Sequence, residues 1–300
     1  MFVPKGPILR PCDVEKLYKY LTMANGKTTI LTGAGISTSS GIPDYRSEEV
    51  GLYARFNHKP MFYQQFLKNE EARKRYWARN YCAFERTQEV EPNKGHLLLK
   101  KWFDKKLYSS MVTQNVDRLH SKAGFCTSQV IELHGALNDV ICLNCGGFEQ
   151  RKNLQDRLKE LNNNLSFHIN EHLNKIAPDG DIVLPDYLTT NFRVAPCKHC
   201  RIGIIKPDVV FFGDSVKPKT RKEASDAVTN SDILFCIGTS LQAYSAFRLI
   251  LQAKEQNKLV LILNIGETRA EKYADFRISA NINETLLATD ALIFEENTFL

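Results

Sequence analysis

Four short runs of β-branched and aliphatic residues recur along the chain, each ending in a small polar turn. They are Thr28–Thr32 before GAGIS, Ser110–Thr113 before QNVD, Ile233–Ile237 before GTS and Val260–Leu263 before NIG. Such unbroken apolar runs predict strands covered on both faces, as in a parallel sheet. Between them, apolar positions return at helical spacing over Lys219–Asn230 and Ser245–Gln256. Strand, turn and helix in repetition predict an α/β fold with a doubly wound parallel, Rossmann-like sheet. Ligands of such sheets bind beyond the carboxyl ends of the strands, so the four turns are expected to converge on one crevice.

Two segments interrupt the alternation. Residues 48–106 read as a helical insertion rich in aromatics (FYQQFL, RKRYWARNYCAF), and residues 140–206 hold two C-x-x-C pairs. Together they are expected to form a smaller domain, with 1–47, 107–139 and 207–300 building the sheet domain. A chain of 300 residues that is 43% hydrophobic can bury a sizeable core. Its net charge of +6 is too mild for the Lys/Arg density of a nucleic-acid binder, and no nucleic-acid partner is expected. No apolar run approaches the roughly 18–20 residues of a membrane span, so no membrane partner is expected either. The Pro-rich start MFVPKGPILRPCD has neither a secretory apolar stretch nor the length of an amphipathic transit helix. Cys12, Cys82, Cys126 and Cys236 are scattered and read as reduced, buried thiols, which points to a reducing compartment.

The turn Gly33-Ala34-Gly35-Ile36-Ser37 allows close backbone approach to a phosphate, although G-x-G also occurs in ordinary turns. The next stretch, Thr38 to Arg46, places Gly41, Pro43, Asp44, Tyr45 and Arg46 in one loop that could close over a ligand. In Gln114-Asn115-Val116-Asp117, an Asn and an Asp two apart suit recognition of an amide; spacing alone favours a capping Asp. His134, in ELHG, follows an apolar strand and precedes a glycine, so it is a candidate general base as well as a candidate structural histidine. His120 falls at helical spacing and reads as structural.

The strongest signal is Cys142, Cys145, Cys197 and Cys200, whose paired spacing matches the two knuckles of a Cys₄ zinc site. Four thiolates leave no open coordination position, so one structural zinc is expected. His199, inside the second pair, is not expected to be a ligand. On the aromatic helix, Tyr76 and Arg79 share a face one turn apart, which is either a half-buried helix with solvated bases or the border of a binding channel.

In order, GAGIS, SGIPDYR, TQNVDRLH, ELHG, the cysteine pairs, KPDVVFFGD, GTSL and NIG resemble the sirtuin family from Thr28 to about Leu287. GLYAR at Gly51–Arg55, RYWARN at Arg75–Asn80, APDGD at Ala177–Asp181 and NIGETRA resemble its class II, mitochondrial branch. The resemblance implies a sirtuin-type transferase that uses NAD as co-substrate to deacylate protein lysines, releasing nicotinamide and O-acyl-ADP-ribose. It implies that Gly33, Ala34, Gly35, Ile36, Ser37, Asp44, Tyr45, Arg46 and Tyr53 wrap NAD, with Gln114 and Val116 alongside. Asn115 and Asp117 would hold the nicotinamide carboxamide, and His134 would act as general base on the ribose hydroxyls. Gly238, Thr239, Ser240, Asn264, Ile265 and Gly266 would line the adenosine side, closed by Ile282 where the branch often has Cys. Phe211–Asp214 and Leu241–Ala243 would be strands that sandwich an acylated substrate backbone.

A related branch uses a Tyr-x-x-Arg pair for acidic acyl groups; here that pair aligns with Asn80 and Ala83, near Tyr76 and Arg79. Larger or acidic acyl groups are therefore expected, in the mitochondrial matrix. Mono-ADP-ribosyl transfer and lipoamidase activity are the alternatives within the branch. An NAD- and zinc-binding scaffold without turnover is disfavoured by the presence of His134, Asn115 and Asp117. A dehydrogenase is disfavoured by the zinc site and by the absence of a ribose-binding acid near residue 53. Oligomeric state is not legible.

Overall fold

The computed structural model describes residues 2–55, 60–163, 184 and 186–295; the APDGD stretch lies outside them. Its strands are β1 Thr28–Thr32, β2 Ser110–Thr113, β3 Val130–Glu132, β4 Gly135–Cys142, β5 Phe148–Gln150, β6 Ile205–Val209, β7 Ile233–Ile237, β8 Leu259–Leu263 and β9 Phe276–Ile278. Six of them form a parallel sheet in the order β3-β2-β1-β7-β8-β9.

Within each central strand the pleat sends alternate side chains to opposite faces. Ile30, Phe235, Ile237, Leu261 and Leu263 join a core with Leu17, Leu99, Trp102 and Leu286, under helices Pro11–Met23, Lys94–Asp104 and Ile282–Glu295. Leu31, Leu234, Cys236, Val260 and Ile262 join a second core with Ala224, Val228, Phe247 and Ile250, under helices Pro218–Thr229 and Tyr244–Glu255. Covered on both sides, β1 and β7 are buried at every position, which is why they read as apolar runs without alternation.

The remaining strands form an antiparallel sheet in the order β5-β4-β6. Helices Glu70–Glu89 and Arg151–Leu161 pack there in a third core, which holds Phe66, Tyr76, Trp77, Leu154, Leu158 and Phe192. The Trp77 indole N–H donates to the Ile205 carbonyl at 3.2 Å, fastening the long helix to β6.

This arrangement departs from the sequence expectation in two places. Helix Lys94–Asp104 sits in the core of the large sheet through Leu99 and Trp102, so the 48–106 insertion is shared between the two units. β4 begins at Gly135, ahead of the expected boundary at 140. Gly135 adopts φ +77, and a Cβ there would collide with the Asp208 carbonyl, so only glycine lets the chain turn from one sheet into the other. His134 therefore stands at the joint between them.

Candidate functional site

The carboxyl ends of β1, β2, β7 and β8 lie in register: Thr32 pairs with Thr113 and Ile237, and Ile237 with Leu263. Their turns consequently meet at one end of the sheet. β1 and β7 are neighbours whose chains continue to opposite sides, which is the switch point where such sheets bind ligands. A cleft of ≈ 1160 Å³ opens there, walled on its far side by Val209–Ser215 from the small sheet.

Its floor is backbone packed on backbone. Gly35 N–H donates to the Gly238 carbonyl at 2.8 Å and Gly33 N–H to the Ile237 carbonyl at 3.1 Å. A Cβ on Gly33 would lie 2.6 Å from Thr239 Cβ, and one on Gly238 would lie 2.5 Å from Ile36 N. The glycines are thus required by the meeting of two turns as much as by any ligand. The helix that follows, Ala34–Ser40, is a 3₁₀ helix, with Ile36, Ser37 and Thr38 buried.

Asn115 and Asp117 converge on Ser37. The Asn115 amide donates to the Gly33 carbonyl at 3.1 Å and to Ser37 Oγ at 3.2 Å; Ser37 Oγ donates to Asp117 Oδ2 at 2.7 Å. Asp117 Oδ1 also accepts from Leu119 N–H, the first amide of the short helix Leu119–Lys122, at 2.9 Å, although the N-cap itself is Arg118, in the left-handed region at φ 60. With both amide hydrogens committed, Asn115 offers a ligand its Oδ1, and Asp117 keeps unused lone pairs. Both present acceptors, as an amide NH₂ requires. Burial raises the Asp117 carboxyl, against the lowering effect of its Leu119 and Ser37 hydrogen bonds. Beneath the pair, Thr32 Oγ1 donates to Thr113 Oγ1 at 2.8 Å and lies 2.9 Å from His120 Nε2. His120 is 2% exposed and structural.

His134 contacts the Gln114 carbonyl through Nδ1 at 3.1 Å and Ser245 Oγ through Nε2 at 2.7 Å. A carbonyl only accepts, so Nδ1 carries the proton and Nε2 the lone pair. Burial pushes the imidazole down to about 4, partly offset by the Gln114 carbonyl. The ring is neutral at physiological pH, with a basic nitrogen in the cleft.

Of the expected cofactor residues, all line the cleft except Ile36, Tyr53 and Ile282. Ile36 turns its apolar side chain into the core. Tyr53 packs against Tyr45 with the rings tilted at 41° and their centroids 5.7 Å apart. Ile282 packs behind Gly238, against the same core as Ile36. Phe211–Asp214 and Leu241–Ala243, expected as strands, are irregular instead, apart from a single bridge between Phe62 and Phe212. Tyr76 and Arg79 do not line the cleft; Tyr76 meets it at one remove, its ring 5.2 Å from that of Phe211. Sequence reasoning missed Ser245 and also Pro4, Lys5 and Pro7, whose segment crosses the cleft beside Asn264–Gly266, with Gly6 against Ile265. No periodicity marks residues 2–10.

The Sγ atoms of Cys142, Cys145, Cys197 and Cys200 lie within 4.8 Å of one another. The Cys142–Cys200 and Cys145–Cys197 separations are 3.8 and 3.7 Å. A tetrahedron with Zn–S bonds of about 2.3 Å requires sulfurs about 3.8 Å apart. The backbone N–H groups of Asn144, His199 and Gly203 point at these sulfurs at 3.3–3.4 Å, which favours thiolates. The residues fit a structural zinc. His199 Nε2 is instead 3.2 Å from the Phe148 carbonyl.

Residues 33–245 match the model of the Sir2 family. The chain is 41% identical to the human NAD-dependent protein lipoamidase sirtuin-4, mitochondrial, over 97% of its own length and 90% of that protein. It is 42% identical to the Drosophila melanogaster NAD-dependent protein deacylase Sirt4, over 95% and 89%. Among solved structures, it resembles a Sir2 with p53 peptide and NAD⁺ at a TM-score of 0.66 and 25% identity, covering 95% of this chain and 99% of that one.

Proposed function

Because this chain belongs to the Sir2 family, we propose that it is an NAD-dependent protein lysine deacylase, releasing nicotinamide and the acylated ADP-ribose. The observation that carries this reading is the meeting, at one switch-point cleft, of an amide-accepting pair (Asn115 and Asp117) with a neutral, tautomer-fixed His134. NAD, when bound, supplies the glycosidic bond from which nicotinamide leaves as the acyl oxygen arrives. Asn115 Oδ1 and Asp117 accept from the carboxamide NH₂ and so orient that ring. The glycine floor at Gly33, Gly35 and Gly238 admits a polar ligand close to the backbone. His134 Nε2 takes the proton of a ribose hydroxyl, while Nδ1–H stays on the Gln114 carbonyl and keeps the ring aligned.

Phe211–Asp214 and Leu241–Ala243 supply backbone edges for an extended acyl-lysine segment to pair with. Cys142, Cys145, Cys197 and Cys200 would hold a zinc that ties the two knuckles together behind the first of these edges. The mitochondrion is the compartment supported by the named relatives, and its matrix is the finer proposal. Lipoyl removal, named for the human and bovine relatives, would use the same residues on a longer acyl chain.

The test is nicotinamide release from NAD with and without acyl-lysine peptides carrying acetyl, succinyl, methylglutaryl or lipoyl groups. Peptide should stimulate release, and His134→Ala should lower acyl transfer by about 10²–10⁴-fold with NAD binding retained. NADH formation, or release indifferent to every peptide, would sink the reading.

A further inference from the structure

The lone pair on His134 Nε2 is not facing empty cleft: Ser245 Oγ sits 2.7 Å away, from a point 111 residues further along the chain. Ser245 is the second residue of the helix Tyr244–Glu255, where the first amides have no intrahelical partner and the chain is fixed close to the strand end it follows. Here the N-cap is Ala243, which has no side-chain acceptor, and the Ser245 hydroxyl goes to the imidazole instead.

Reaching that imidazole requires an unusual backbone. The connection from β7 bends through positive φ twice, at Gly238 (+62) and again at Leu241 (+55). A leucine in the left-handed region is strained by its Cβ, which crowds the neighbouring carbonyl. It is retained by a fully buried side chain and by its N–H, which donates to Thr239 Oγ1 at 3.1 Å. The strained turn starts the helix where Ser245 meets His134, and both side chains line the cleft.

Hydroxyl chemistry gives this contact a property that few other partners would have. In the ligand-free protein Ser245 donates its O–H to the Nε2 lone pair; a ribose hydroxyl that delivers its proton there displaces this donation, and the same serine oxygen then accepts from Nε2–H of the protonated ring. The Gln114 carbonyl accepts from Nδ1–H in both states. An imidazole held this way keeps its orientation on either side of a proton transfer.

We propose that Ser245 is a positioning residue for the acyl-transfer base, its hydroxyl holding His134 aimed into the cleft in both protonation states. The proposal rests on the deacylase reading for its kinetic consequence, but not for the contact itself. The experiment compares the parent, Ser245→Ala and Ser245→Thr by peptide-stimulated nicotinamide release and by the ¹⁵N resonance of His134 Nε2 in the ligand-free protein. Thermal melts verify folding. Ser245→Ala should lower kcat about 3–10-fold at a nearly unchanged KM for NAD, the loss of one neutral hydrogen bond. Ser245→Thr should restore most of that loss, and the Nε2 resonance should move towards that of an unbonded ring nitrogen only in the alanine variant. Equal kcat in parent and Ser245→Ala, equal impairment of both variants, or an unmoved resonance would overturn the proposal. An inactive parent would count against the deacylase reading, while the resonance would still decide the contact.

Discussion

The two sheets hold themselves together by different means. Around the large parallel sheet, β1 and β7 are enclosed by an apolar core on each face; the polar groups buried there are mostly neutral hydroxyls and histidines, with Asp13 and Asp290 paired to the part-exposed Arg10 and Lys101. Around the small antiparallel sheet, the core includes ionic groups. Arg151 is 1% exposed, its guanidinium 4.4 Å from the Phe84 ring and its Nε donating to Asn80 Oδ1 at 2.9 Å. Glu149 pairs with Arg157 at 2.7 Å, and buried Lys206 faces Asp214 at 3.4 Å. Buried ions contribute little net stability, because desolvation offsets their attraction. Among the described residues the metal-ligating cysteine cluster lies in the small unit, so that unit is the one expected to depend on coordination by Cys142, Cys145, Cys197 and Cys200. The cleft draws a wall from each, so activity requires both.

Removing the metal is the harshest way to break this contrast. Structural zinc in small modules is worth on the order of 10 kcal/mol or more at neutral pH. Chelation, or Cys142→Ala, should therefore unfold the small unit and leave the large sheet in place. The chain's two tryptophans report separately, since Trp77 is buried in the small core and Trp102 in the large one. In Trp102→Phe protein the emission should shift red on chelation; in Trp77→Phe protein it should hold. Simultaneous loss of both signals would mean that the two units share one cooperative core.

Acid sharpens the contrast from the other side. His120 is buried in the large unit, with its pKa lowered to about 4 by desolvation, and His96 beside it at 4.9 Å is lowered too. The unfolded chain takes up protons near the usual 6.5, before the native state does. Stability is therefore complete above that value and declines as pH falls towards about 4. By pH 5 the loss from His120 alone should be on the order of 2 kcal/mol. Urea midpoints followed through Trp102 at pH 7 and pH 5 measure it, and equal midpoints would contradict it. The smallest effect belongs to an exposed pair on the same unit: Lys222→Ala, which breaks the i,i+4 contact to Asp226, should change stability by no more than about 0.5 kcal/mol. A larger change would give surface charge a share in the large unit that its cores are argued to hold.

What could be read in the sequence follows from how far apart the cooperating residues lie. β1, β2 and β7 were legible because a run buried on both faces is a local signal, and the cysteine knuckles because ligand spacing is local within each pair. Asn115 and Asp117 are two apart, so an amide-recognising pair could be read, although not its anchoring through Ser37. The Ser245–His134 contact had no local trace, since it depends on two positive-φ residues and on strand order. Helix Lys94–Asp104 was assigned to the wrong unit for a related reason: amphipathicity shows that a face is buried, but not against which sheet.

The backbone floor of the cleft has a consequence in terms of native-state motion. Gly33 N–H is bonded to Ile237 O, Gly35 N–H to Gly238 O and Gly238 N–H to Leu263 O, so three amides stitch β1, β7 and β8 together directly under the ligand position. Their hydrogens belong to the last cooperative unit to open, exchanging with solvent only when the whole sheet unfolds. The rim around Asp44–Ser47 is held by local side-chain turns such as Arg46 N–H to Asp44 Oδ1 at 2.8 Å, so it should open locally and exchange early. A ligand settling on the floor thus orders nothing that is not already ordered, and the entropic cost of binding is concentrated at the rim. Changes in residence time among variants should map to Asp44–Ser47 rather than to the glycines beneath.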